Sequence, residues 1–224
     1  MNPLPPPPPA QHGLSVHRID ALTDGIYAVA MTLLVIELKL PEHGAIHTPA
    51  EFNEAVLALL PRVYAWVISF FVMALFWMGH HRVTSHLRHV DGRLITLTIV
   101  QLAFISLMPF SSSLLGAPHA GLLAQVIFSS NMAALAAFAW LNLRHVHRHT
   151  ELSTVPMTIG AYRGASIRVL GLIGVSVLAV LIRWGIDGGT AFGSIAFVLM
   201  GVIGPLSRRV ERASGPAAPP PARH

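Results

Sequence analysis

Six apolar runs, each close to the length that crosses a bilayer, divide this chain. They constrain its fold more than any other feature. They lie at residues 18–40, 56–79, 94–115, 120–143, 165–183 and 188–207. Crossing ~30 Å of hydrocarbon takes about 20 helical residues. Inside lipid every backbone N–H and C=O must be satisfied within the protein, which continuous helices achieve. No strand alternation competes with them. Only 11% of the residues are charged against 53% hydrophobic, and the mean hydropathy is +0.60; soluble domains carry about 25% charged residues. The expectation is an all-α membrane protein with six transmembrane helices per subunit. Proline-rich ends, 1–15 and 211–224, read as disordered polyproline-like tails around a six-helix membrane domain over 16–210. The chain has no cysteine, so disulfides, iron–sulfur clusters and thiolate metal sites are excluded.

Charge orients the spans. With a cytoplasmic N-terminus, Arg18, Arg82, Arg88, Arg93, Arg144, Arg148, Arg163, Arg168, Arg208, Arg209, Arg212 and Arg223 fall inside, and only Lys39, Arg62 and Arg183 outside. This asymmetry is the positive-inside signature and puts both termini in the cytoplasm of a multi-pass cell-membrane protein. The basic balance therefore belongs to helix ends and lipid head groups, and no nucleic-acid partner is implied. Glu42, Glu51, Glu54 and Asp187 fall outside. They either solvate loops or leave the outer face mildly attractive to cations.

The first span, "RIDALTDGIYAVAMTLLVIELKLP" (18–41), combines a greasy stripe with charges at its start. At about 100° per residue, Thr32, Leu33 and Ile36 lie within about 60° of Val29, above Gly25 and Leu22. Such a stripe ordinarily packs on another helix; in an oligomer it can instead line a narrow pore. Asp24 lies about 140° round the helix from Val29. A carboxylate this far into a span needs pairing or water. Arg18, six positions earlier, is too far round for an i, i+4 pair. His80, His81 and Arg82, at the inner end of the second span, are the expected partners of Asp24.

These residues resemble the signature helix of the transmembrane protein 175-like potassium channel family, found in endolysosomes and bacteria. The family pattern is R-x-x-x-F-S-D followed by G-[VI]-[FY]-A-I-A-x-T-L-L-V. Arg18 and Asp24 match, while Leu22 and Thr23 replace the Phe and Ser. The resemblance continues in "FWMGHHR" (76–82), Asp91 and "PFSSSLLG" (109–116). It implies a bacterial-type subunit that assembles as a homotetramer around a pore lined by the first helix, without a re-entrant filter loop. Val29, Leu33 and Ile36 then correspond to the apolar constriction, and Thr32 to the selectivity threonine. Arg18, Leu22, Thr23 and Asp24, with His80, His81 and Arg82, correspond to the signature polar network. The implied function is a potassium-permeable, weakly selective cation channel, also open to protons, with no cofactor beyond the permeant K⁺. Val29 is smaller than the Ile or Leu usual in the family, which implies a slightly wider constriction and weaker K⁺ over Na⁺ discrimination.

Other features fit less specific roles. Seven of the thirteen histidines cluster in "HHRVTSHLRH" and "RHVHRH". Placed in short cytoplasmic links among arginines, they suit interhelical hydrogen bonds better than proton sensing or zinc binding. Gly164, Gly171 and Gly174 with Ser166 and Ser176 suit close helix packing within the subunit. Pro109 should kink or break the third span. No nucleophilic triad, phosphate loop or carboxylate pair supports an enzyme. The remaining rival is a proton-coupled secondary transporter using Asp24 and the cytoplasmic-side histidines.

Overall fold

The computed structural model describes residues 15–40, 47–118, 120–185, 196–197, 204, 207 and 209–211. The helices are α1 (Val16–Ile36), α2 (Pro49–Ala58), α3 (Leu60–Thr84), α4 (Gly92–Ser106), α5 (Met108–Leu115), α6 (Leu122–Arg148) and α7 (Ile159–Gly185). Among the described residues they make 5 spans of membrane-crossing length: α1, α2 with α3, α4 with α5, α6, and α7. Most of the sixth expected span, 188–207, and all but residues 15 and 211 of the two proline-rich tails lie outside the described residues.

Local chemistry sets the helix ends. Thr48 accepts from the Glu51 N–H at 3.2 Å, and the Glu51 carboxylate accepts from the Thr48 N–H at 3.2 Å. This reciprocal cap starts α2. The backbone stays helical through Leu59, and Pro61 occupies the first turn of α3, where a missing N–H is harmless. The 36 residues of α2 and α3 span roughly 54 Å, well beyond the ~30 Å of hydrocarbon. One end therefore projects past the lipid, and no residue of α2 is buried against the rest of the chain. The break expected at Pro109 is present: α4 stops at Ser106 and α5 starts at Met108. The proline ring cannot donate and crowds the carbonyl four residues earlier.

The spans run alternately up and down. Asp20 near the start of α1 meets Thr84 at the end of α3 (2.9 Å), and Asp91 before α4 meets His145 near the end of α6 (2.8 Å). At this same end two links pair through their backbones: Thr154 N–H donates to the His86 carbonyl (2.8 Å) and Arg88 N–H to that of Leu152 (2.7 Å). Arg18, Arg82, Arg88, Arg93, Arg144, Arg148 and Arg163 gather here, whereas Arg62 and Arg183 sit at the opposite end.

The core is apolar with polar ties. Tyr27, Met73, Ile105, Met108, Phe128, Met132, Leu135 and Leu172 are the main fully buried side chains. Ser69 donates to Ser112 (2.9 Å) and Asn131 to Ser111 (3.0 Å). Each such interhelical bond contributes about 0.6 kcal/mol in a membrane interior.

Two expectations are corrected. His145 and His147 belong to the last turns of α6 rather than to a link, and α7 starts at Ile159 rather than at 165. Hydropathy marks the stretch that touches hydrocarbon, and the helical ladder continues past it. On the glycine face of α7 a Cβ on Gly164 would lie 3.0 Å from the Ser207 carbonyl, a close approach within the subunit, and one on Gly174 would meet nothing within 4 Å among the described residues.

Candidate functional site: the free face of α1

α1 has distinct sides. Ile19, Thr23, Tyr27, Ala30 and Leu34 are buried at spacings of 4, 4, 3 and 4, facing α3, α4 and α5. That face is centred roughly 120° round the helix from Val29. Val29 is 58% exposed, Leu33 42% and Ile36 52%. Thr32, Gly25 and Leu22 are exposed with them. The stripe read from the sequence is therefore the side that the subunit leaves uncovered, and the helix packs through another. A shallow cleft of about 400 Å³ runs along it, lined by Leu22, Gly25, Ile26, Val29, Leu33 and Ser106 among others. The Thr32 hydroxyl donates to the Val29 carbonyl at 2.8 Å, which leaves its oxygen lone pairs as the free function.

The signature residues separate into two ties. Asp24 accepts from the Trp77 indole N–H at 2.8 Å, and Trp77 stacks on His81 with centroids 6.0 Å apart. Asp20 accepts from Thr84 (2.9 Å) and lies 3.9 Å from His80 Nε2. The hydrogen-bond partner of Asp24 is thus Trp77, with His81 behind it, and His80 attends Asp20. Thr23 is fully buried and donates to the Ile19 carbonyl at 2.8 Å. Arg18, Leu22 and Arg82 are exposed and belong to neither tie. Sequence reasoning missed Asp20 and Trp77. The available signal was spacing: Trp77, His80, His81 and Thr84 share one face of α3, and Asp20 and Asp24 are one turn apart on α1.

A second polar chain was also missed. Gln101 donates to the Tyr27 hydroxyl (3.5 Å) and accepts from Asn142 (2.8 Å), linking α1, α4 and α6 inside the core. Farther out, Asp91 caps α4 by accepting from the Leu94 N–H (2.8 Å) and binds His145. Burial pushes its carboxyl up, but the Leu94 and His145 hydrogen bonds and the histidine charges outweigh this and hold it below its usual value. Among the described residues, no three His, Asp or Glu side chains converge as a metal site would require.

Comparison with known proteins places this geometry. A family model described as endosomal/lysosomal potassium channel TMEM175 matches residues 18–109, which include most of α1 and the Trp77–His81 region. A potassium channel of Streptomyces collinus is 30% identical over 162 residues, covering 70% of this chain and 77% of that one. The human endosomal/lysosomal proton channel TMEM175 is 30% identical over 105 residues, 44% of this chain and 20% of that one. In fold, the crystal structure of a lysosomal potassium-selective channel TMEM175 homologue from Chamaesiphon minutus superposes with a TM-score of 0.70. It is 23% identical, covering 86% of this chain and 97% of that one. The chain belongs to the TMEM175 family of ion channels.

Proposed function

We propose that the chain forms a homotetrameric, potassium-permeable, weakly selective cation channel in the cell membrane, also open to protons. The first helices of the subunits surround its axis. The carrying observation is the exposure of Val29, Leu33 and Ile36 on one side of a helix whose core side is closed. A ring of these side chains offers a permeating ion no oxygen, so a narrow ring empties of water and shuts, and a wider one passes hydrated ions. Thr32 supplies the nearest hydroxyls, with their lone pairs free because the proton is committed to the Val29 carbonyl. The C-terminal end of α1 carries the negative helix pole, which favours cations at that mouth. Selectivity built this way is indirect and modest.

The network favours a channel over a proton-coupled transporter. The indole N–H that holds Asp24 donates but does not ionise, so it cannot relay a proton from the carboxylate to His81. Replacing Val29 by Asn wets the constriction. In bilayer recordings Val29→Asn is expected to raise potassium current severalfold with the assembly intact. An unchanged current in a folded Val29→Asn protein would contradict the reading.

A further inference from the structure

Among the described residues, three side-chain hydrogen bonds tie α1 to other helices. Asp20 accepts from Thr84 and Asp24 from Trp77, both toward the arginine-rich end, and Tyr27 accepts from Gln101. Thr23, although buried, bonds only within its own helix. Tyr27 is therefore the tie nearest the stripe. It stands two residues before Val29 and about 160° round the helix from it. Farther along, Ala30 and Leu34 are buried, but apolar contact has no preferred direction and tolerates turning. A hydrogen bond does have one.

The tie is backed from a third helix. Tyr27, Gln101 and Asn142 are all buried. Asn142 on α6 holds the Gln101 amide at 2.8 Å and aims its other end at the Tyr27 hydroxyl, 3.5 Å away. Turning both amides over keeps the chain closed: the Tyr27 O–H then donates to Gln101, and Gln101 to Asn142. Rotation of α1 breaks the link in either arrangement and leaves Gln101 short of a partner in apolar surroundings, which is unfavourable. Thr32 lies about 60° from Val29, so a rotation of that size exchanges an apolar side chain for a hydroxyl at one angular position.

We propose that Gln101 is a positioning residue for conduction: through Tyr27 it fixes the rotation of α1, so that Val29 rather than Thr32 faces the axis. The proposal rests on the channel reading and deepens it, since it names what sets the constriction.

The test uses the full, cysteine-free chain in bilayers carrying potassium current. Val29→Cys and Thr32→Cys are each exposed to a water-soluble methanethiosulfonate, and the rate of modification is read from the change in current. In the Gln101→Leu background, Thr32→Cys is expected to react about threefold faster relative to Val29→Cys, the equivalent of one interhelical bond in a membrane. Tyr27→Phe, which removes a single oxygen, should give a similar shift, and the two substitutions together should add nothing further. It also carries the test if Gln101→Leu fails to fold. A merely structural role for Gln101 would lower the melting temperature and leave the ratio of the two rates unchanged; that result overturns the proposal, as do fully additive effects of Gln101→Leu and Tyr27→Phe. If the reagent alters current through Val29→Cys but neither background changes the ratio, the channel reading stands and this one falls. If neither thiol affects current in any background, the channel reading itself fails and takes this one with it.

Discussion

At the scale of single residues, the pairing of Asp24 with Trp77 decides how a carboxylate is held inside a span. A hydrogen bond to a charged acceptor contributes about 1.5–3 kcal/mol when well formed, and less where water competes. Trp77→Phe keeps a ring beside His81 but removes the N–H. The expected result is destabilisation of about 1 kcal/mol, read as a lower melting temperature in detergent. The same substitution should cost little in an Asp24→Asn background, where no charge remains to be held. Equal losses in both backgrounds would show that the indole serves only by packing. That Asp24 needed a partner from another helix was legible, because the penalty of an unpaired charge is known in advance. Which partner was not legible. Tryptophan near a span end reads as a lipid-interface anchor, and its donor role emerges only once α1 and α3 are set antiparallel.

At the scale of elements, the side-by-side placement of α1, α3 and α5 matters most. Where the start of α3 crosses the end of α5, a Cβ on Gly116 would lie 2.8 Å from the Arg62 Cα. Backbone cannot swing aside as a side chain does, so the helices must separate. The same Arg62 donates to the Lys39 carbonyl at 3.4 Å, just beyond α1. Gly116→Ala is therefore expected to destabilise by about 1–3 kcal/mol and lower the melting temperature, with a change in current from the displaced end of α1. A melting curve like that of the unaltered protein would contradict the close approach. The stripe on α1 was legible from spacing alone, as was the break at Pro109. The helix ends were less so. α6 continues through Arg144 to Arg148 and α7 begins six residues early, because hydropathy reports contact with lipid and not the hydrogen-bond ladder.

At the scale of the whole molecule, the subunit buries one side of its first helix and leaves another bare. The order of spans and the clustering of arginine at one end were readable from the sequence, since both follow from membrane physics applied segment by segment. The Tyr27–Gln101–Asn142 chain was not, because it forms where three helices meet and none of them marks it alone.

The central claim is that the bare stripe meets its own copies on an axis. Because the chain has no cysteine, Val29→Cys introduces a single thiol at the proposed constriction, and Phe71→Cys places one on the exposed side of α3. The most direct measurement is cadmium block of the potassium current carried by each variant, with disulfide formation followed in the same membranes. The account predicts block and cross-linked dimers for Val29→Cys and neither for Phe71→Cys. A Val29→Cys channel that conducts normally in cadmium, with its thiol labelled by a lipid-soluble reagent, would place α1 on the outside and contradict the account.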